Sequence, residues 1–379
     1  MELFSASNQW SQRPADQRFA SLDDLIKATN AYRQQAAEKT VNTKTFSTVP
    51  QGREVALVGK GGVPAQFTHW AFGQFAQRVG APADYLRKLT PELASANLNY
   101  GLAQYAPENL QMLVHTNGSL LVRAMTSDRY ARFWNHQVAE RMVPIFENGW
   151  RVPPARPAFE GQPGTRPATT SDLMGQSDFG LSIREGDQIA PAGLYASDHD
   201  MFIFAVNPDR TLKTPGRPNG LMRGVFIENS EVGAASLKVT RFLLDNVCGN
   251  HIVWGAEDVL TVKVRHTGDI QMKADGFFAE VAMWADESAS DDEAKIAKAA
   301  VYRLGQTKDE VLDKIFGKGI VSRKQAETAF DLAQAADGFD GRTAFGLATG
   351  LTRLSQQTPY MDRRVALDRA AYKVLSLAF

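Results

Sequence analysis

Three groups of side chains in this chain of 379 residues could do chemistry. The first is acidic: Ser197-Asp198-His199-Asp200, and Asn229-Ser230-Glu231 with Gly233 close behind. In extended chain, residues two apart share a face. Asp198 and Asp200 could then join Glu231 around Mg²⁺ or Mn²⁺, the arrangement of a metal-dependent phosphodiesterase or nuclease. Glu231 alone could act as a general base oriented by Asn229. The plainer reading makes both segments turns, with Asn, Asp and Ser side chains bonding nearby amides and Gly233 supplying an unusual φ.

The second group is basic and aromatic. Between Arg123 and Arg156 lie six arginines and three acids, interleaved with Tyr130, Phe133, Trp134 and Trp150. Guanidinium forks bind phosphate, and aromatic faces stack unpaired bases. Arg123, Arg129, Tyr130, Arg132 and Trp134 are therefore candidate nucleic-acid contacts. A second excess, Arg210, Lys213, Arg217 and Arg223 against Asp209, falls in a stretch rich in Pro and Gly that reads as a loop, and it adds Arg217 and Arg223 to the set. The plainer reading puts the aromatics in a core and the arginines on a solvated face.

The third group is Cys248, Asn250 and His251, which suggests a Cys-His nucleophile but lacks a third orienting group. A structural cysteine fits equally simple rules, since cysteine is among the most buried residue types. Zinc would need two further ligands, with only His266 nearby. Residues 319–333, GIVSRKQAETAFDLA, have the outline of a helix-turn-helix reader in which Arg323 and Lys324 would face DNA.

The elements that must position these groups follow from spacing and caps. Ser21 opens an amphipathic helix over 22–38. TKTFSTV, REVALVG and VPAQF read as strands around the reversal Gly59-Lys60-Gly61-Gly62, Thr68 caps a helix that Gly80 ends, and Thr90-Pro91 opens another through about Tyr100. Asn117-Gly118 between LQMLVHT and SLLVRAMT predicts a two-residue hairpin turn pairing roughly 110–115 with 120–125. FWNHQVAERMVPIF reads as one helix, and residues 151–170, with five prolines, as a loop or edge excursion. DFGLSI, GLYAS, MFIFAV, LMRGVFI, ASLKVTRFLL, HIVWG and LTVKV make 178–264 rich in β-structure. The acidic run 286–293 marks a boundary, after which every segment reads helical, with capping boxes at Thr307/Glu310 and Ser322/Gln325. The expectation is an α+β fold: a mixed or antiparallel β-rich domain over 1–285 with flanking helices, and a helical region over 286–379.

Charge narrows the function classes. Lys plus Arg and Asp plus Glu each number 42, so any hold on phosphate must be local. One cysteine excludes an internal disulfide and fits a reducing compartment. Met1–Trp10 has no basic stretch leading into an apolar core, and no run of eighteen uncharged apolar residues occurs, so the expectation is a cytoplasmic protein with no membrane partner.

Four blocks in order resemble the phage/plasmid-like family known as domain of unknown function 932: SDRY (127–130), RGVFIENSEVGAASLKV (223–239), VCGNHIVWGA (247–256) and LTRLSQQTPYMDRRVALDRAAYKVL near the C-terminus. The resemblance covers roughly Leu110 onward. It implies a protein of a mobile element in a bacterial host and carries over no activity, cofactor or catalytic residue. Together with the Arg/aromatic cluster it suggests non-catalytic binding of single-stranded DNA in replication, recombination or repair, with coating or annealing of strands as the action and a homo-oligomer as a compatible form. The alternatives are the metal-dependent nuclease and a protein that binds or decoys a host protein.

Overall fold

The computed structural model describes residues 17–19, 21–116, 118–152, 156–157, 166–168, 184–190, 194–215, 217–245, 251–253, 263–264, 266–286, 290–357 and 361–379. Cys248 and Asn250 lie outside them, as do DFGLSI and most of the Pro-rich stretch. The fold is α+β with a helical C-terminal region.

Arg18–Phe19 (β1) leads to Leu22–Gln34 (α1), capped by the Ser21 hydroxyl, which accepts the Asp24 N–H at 3.1 Å. The helix stops at Gln34 rather than 38, because Ala36–Asn42 (β2) is a strand. Phe46–Gln51 (β3), Glu54–Gly59 (β4) and Pro64–Phe67 (β5) follow, then His69–Arg78 (α2), Ala83–Leu86 (α3) and Pro91–Gln104 (α4). Thr68 and Thr90 cap α2 and α4 as their side-chain types require. Asn109–Thr116 (β6) and Leu120–Ser127 (β7) form the predicted hairpin. Thr116 pairs with Leu120, so three residues connect the strands instead of two, and the register shifts between Leu113 and Val114. Gly118 has φ +71°, while Asn117 lies outside the described residues. The sheet runs β2-β6-β7-β5-β4-β3, antiparallel except at β5–β7. Leu57, Val122 and Met125 pack under Phe75, Leu86 and Leu98 from the helices.

The predicted single helix after Trp134 is two: Asn135–Arg141 (α5) and Val143–Glu147 (α6). Within the Pro-rich stretch, Arg156–Pro157 (β8) and Arg166–Pro167 (β9) flank Gln188–Ala190 (β10). The second large sheet holds β1, Leu194–Ala196 (β11), Met201–Thr214 (β12), Arg217–Asn229 (β13), Leu237–Asp245 (β14), His251–Val253 (β15) and Lys263–Val264 (β16). Here the expected loop at 209–217 is corrected. β12 and β13 pair as far as Thr214↔Arg217, with register shifts between Asn207 and Thr211 and between Leu212 and Thr214, so Lys213 and Arg223 stand on a long, bulged ribbon. Met201, Ile203 and Ala205 bury one face against α1, α5 and Ile270–Asp286 (α7), while Phe202, Phe204 and Val206 form a cluster on the other.

Ser290–Val301 (α8), Lys308–Gly317 (α9), Arg323–Asp337 (α10), Ala344–Gln357 (α11) and Met361–Ser376 (α12) fold onto the far end of this sheet, sharing a core with Leu212, Leu221 and Leu243. The acidic run is thus no simple linker. Asp292 is buried in the first turn of α8 and bonds Arg223 of β13 at 2.7 Å. Among the described residues no helix is long and apolar enough to cross a membrane.

Candidate functional site

The two large sheets meet at a polar junction. β13 ends at Asn229, and the turn that follows carries Ser230 and Glu231 into the space between β6, β7 and the start of α5. The Ser230 hydroxyl accepts the amides of Val232 (3.3 Å) and Ala234 (3.1 Å) and donates to the His199 carbonyl (2.7 Å). The turn is clamped from the other sheet, where Trp70 and Gln74 of α2 both donate to the Val232 carbonyl, at 3.0 and 2.8 Å. Gly233 takes φ +81° against Thr126 and Tyr130, where a side chain would have little room.

Glu231, 2% exposed, accepts the Asn135 amide at Oε1 (2.8 Å) and Arg123 Nη1 at Oε2 (3.3 Å). Arg123, 1% exposed, also donates to His115 Nε2 (3.1 Å) and the Asp198 carbonyl (2.6 Å). Burial first, and then the Arg123 charge, push His115 down to about 4, so near neutrality it is an uncharged acceptor. Asn229 acts one step removed from the role expected of it: its amide donates to Asn135 Oδ1 (2.8 Å) and the Phe133 carbonyl (3.0 Å), fixing the residue whose N–H holds Glu231.

This geometry corrects the nucleic-acid set. Arg123, Arg132, Trp134 and Arg223 are all buried and cannot reach a phosphate or base from where they stand. Arg132 donates from Nε to Glu38 (2.7 Å), with its guanidinium 5.2 Å from the Tyr130 ring centre and 5.6 Å from that of Trp134. Trp134 also carries the Arg33 guanidinium at 4.0 Å, so it has no free face for a base. Tyr130 stacks on His266 (5.1 Å, 2°) and donates to the Ser230 carbonyl (3.0 Å), and burial pushes its phenol up. Arg129 is exposed, and the side chain of Arg217 lies outside the described residues.

The carboxylates do not converge either. Ser197–Asp200 is the four-residue turn between β11 and β12: the Ser197 hydroxyl accepts the His199 and Asp200 amides, and Asp200 bonds Ser197 and His199. Asp198 is exposed, and its carbonyl accepts Arg123 at the junction. Among the described residues no three His, Cys, Asp or Glu side chains form a group that could hold a metal ion. His251 is on β15, with its side chain outside the described set. Arg323 of α10 pairs with Asp309 and Asp313 of α9.

Beside the junction lies a cleft of about 380 Å³ including its open mouth, lined by Phe19, Thr29, Tyr32, Asn135, Ser197 and Glu231 among others. Tyr32 of α1 is 47% exposed, with Arg123 5.6 Å from its ring centre. His115 was missed altogether. Its signal was legible: it stands two residues after Leu113 in a strand, a polar side chain on the core face. No family model, no curated protein and no solved structure matches this chain.

Proposed function

We propose that this chain is a non-catalytic single-stranded-DNA-binding protein of a mobile element, working in the bacterial cytoplasm in replication, recombination or repair, with the strand lying on the helical layer of the N-terminal sheet. One observation carries the reading after the Arg123–Trp134 cluster is found buried. Tyr85, Tyr100 and Tyr105 are 57%, 70% and 52% exposed on and beside α3 and α4. Exposed aromatic faces stack any base. The same lobe has the local charge excess that phosphate needs, with seven Lys and Arg against four Asp and Glu over 39–108. Lys88 is exposed near Tyr85, and Lys44 reaches the carbonyls of Leu102 (2.6 Å) and Ala103 (3.2 Å) beside Tyr105.

The test is titration of fluorescent single-stranded and duplex DNA at two salt concentrations. Single strands should bind more tightly, with affinity falling as salt rises. Tyr100→Ala should weaken binding by about 5–100-fold with the salt slope unchanged, as loss of one stacked base predicts. Lys44→Ala with Lys88→Ala should flatten the slope by about 1.4, at ~0.7 per phosphate contact. Absence of salt-sensitive single-strand binding, or indifference to the tyrosine, refutes the reading.

A further inference from the structure

We infer that the outer face of α7 is a self-association surface, on which a second copy of this chain lays its own α7 antiparallel across a two-fold axis. A helix on a protein surface normally keeps its charges on the solvent side, and α7 does not. Its inner residues Ile270, Ala274, Phe277, Phe278 and Val281 are buried in the core that β12 shares. Its outer seam is Met272, Gly276, Ala279 and Met283, all exposed, the two methionines at 67% and 72%. Nothing lies within 4 Å of where a Cβ on Gly276 would be, so the middle of the seam is uncovered.

The layout of the seam selects the occupant. Its steps of four, three and four residues are those of a heptad seam and read the same in both directions, as do the sizes: large, small, small, large. A two-fold interface requires that where residue i meets j, j meets i. Antiparallel pairing centred between Phe277 and Phe278 meets that condition along the whole seam. Met272 of each copy meets Met283 of the other, and Gly276 meets Ala279. The small central pair lets the backbones approach, and the flexible methionines close the ends. The bordering charges agree. Lys273 donates to the Thr267 carbonyl (2.5 Å), and neither it nor Glu280 has an ion-pair partner among the described residues. Antiparallel pairing sets Lys273 of each copy beside Glu280 of the other, twice over. Parallel pairing would set Glu280 against Asp275 of the other copy, acid against acid. Asp275 is bonded instead to Arg141 of its own chain (2.9 Å), and antiparallel pairing brings it only Ala282.

The inference does not rest on strand binding, because the full chain is measured without nucleic acid. One helix seam falls below the ~1,200–2,000 Å² of a standard interface, so the dimer is a weak one. Sedimentation velocity from about 1 to 300 μM chain should show a monomer–dimer equilibrium. Lys273→Glu and Glu280→Lys should each weaken it by about 3–30-fold, and the two together should return it to within about two-fold of the original. Gly276→Leu should abolish it without lowering the thermal midpoint, because leucine suits a helix better than glycine and its Cβ meets no atom of its own chain. Disulfide cross-linking fixes the direction. Met272→Cys chains mixed with Met283→Cys chains should form a linked dimer. Neither variant alone should do so beyond the level that Cys248 gives in the original chain, since like positions lie about 16 Å apart along the axis. A chain that stays monomeric over the whole range, association that survives Gly276→Leu, or charge variants that the double exchange does not restore would overturn the inference. So would cross-linking by either cysteine variant alone.

Discussion

At the scale of single residues, the side chains that looked most like ligand contacts are the ones that close the structure. Trp134 is 7% exposed, with the Arg33 and Arg132 guanidinium groups 4.0 and 5.6 Å from its ring centre. Trp134→Ala should therefore cost about 3–5 kcal/mol in urea unfolding rather than act on strand affinity; a stable variant with weakened binding would restore the stacking role. Arg123 and Glu231 form a buried pair, and removing one partner strands the other. Arg123→Met alone should cost about 3–5 kcal/mol, and adding Glu231→Leu should recover part of that loss. Costs that simply add would show the pair to be uncoupled. Acid should act through the histidines. Burial pushes both His115 and His266 down to about 4 from 6.5. Between those values the unfolded chain binds protons that the folded chain refuses, so stability is complete above pH 6.5 and falls as the pH drops towards 4. Each histidine contributes a slope of up to about 1.4 kcal/mol per pH unit. Urea midpoints measured from pH 7.5 to 4.5 check this, and a flat profile that His115→Gln leaves unchanged would refute it.

At the scale of elements, the hairpin β6–β7 is the scaffold of the junction, since His115 and Arg123 stand on its two strands. Its turn holds Gly118 at φ +71°, with nothing within 4 Å of where a Cβ would be. The cost of a side chain there is purely conformational. Gly118→Val should destabilise by about 1–3 kcal/mol, and Gly118→Asn by much less, because asparagine tolerates the left-handed region. Equal thermal midpoints for the two variants would count against this turn geometry. α1 shows the opposite balance. Ala36–Lys39 suit a helix on their own, yet they form a strand because β6 offers a full antiparallel ladder from Ala36↔His115 to Asn42↔Asn109.

For the whole molecule, the question is how the helical region and the sheets depend on each other. Leu347 of α11 shares one buried cluster with Leu212, Leu221 and Leu243 of β12, β13 and β14. Leu347→Ala should cost about 2–5 kcal/mol and lower hydrogen-exchange protection in β13 and β14 together with that in α10 to α12. Loss of protection confined to the helices would show that the tail opens as a separate unit. The Asp292–Arg223 bond closes the same contact from the first turn of α8.

The sequence by itself determined what depends on neighbours along the chain. The caps at Ser21, Thr68, Thr90, Thr307 and Ser322, the alternating faces of β12, the hairpin and the α+β class all follow from side chains bonding their own local backbone or from a period of two. The turns at 197–200 and 229–233 were legible for the same reason. Only the tertiary structure decided what each charged or aromatic side chain faces. Arg123 meets Glu231 across 108 positions and Arg132 meets Glu38 across 94, partnerships that no local spacing encodes. An arginine on a half-polar helix or strand is solvated or buried according to what packs on it. Here a second sheet and the turn after β13 cover the cluster, and the opening they leave is the cleft of Tyr32 and Glu231.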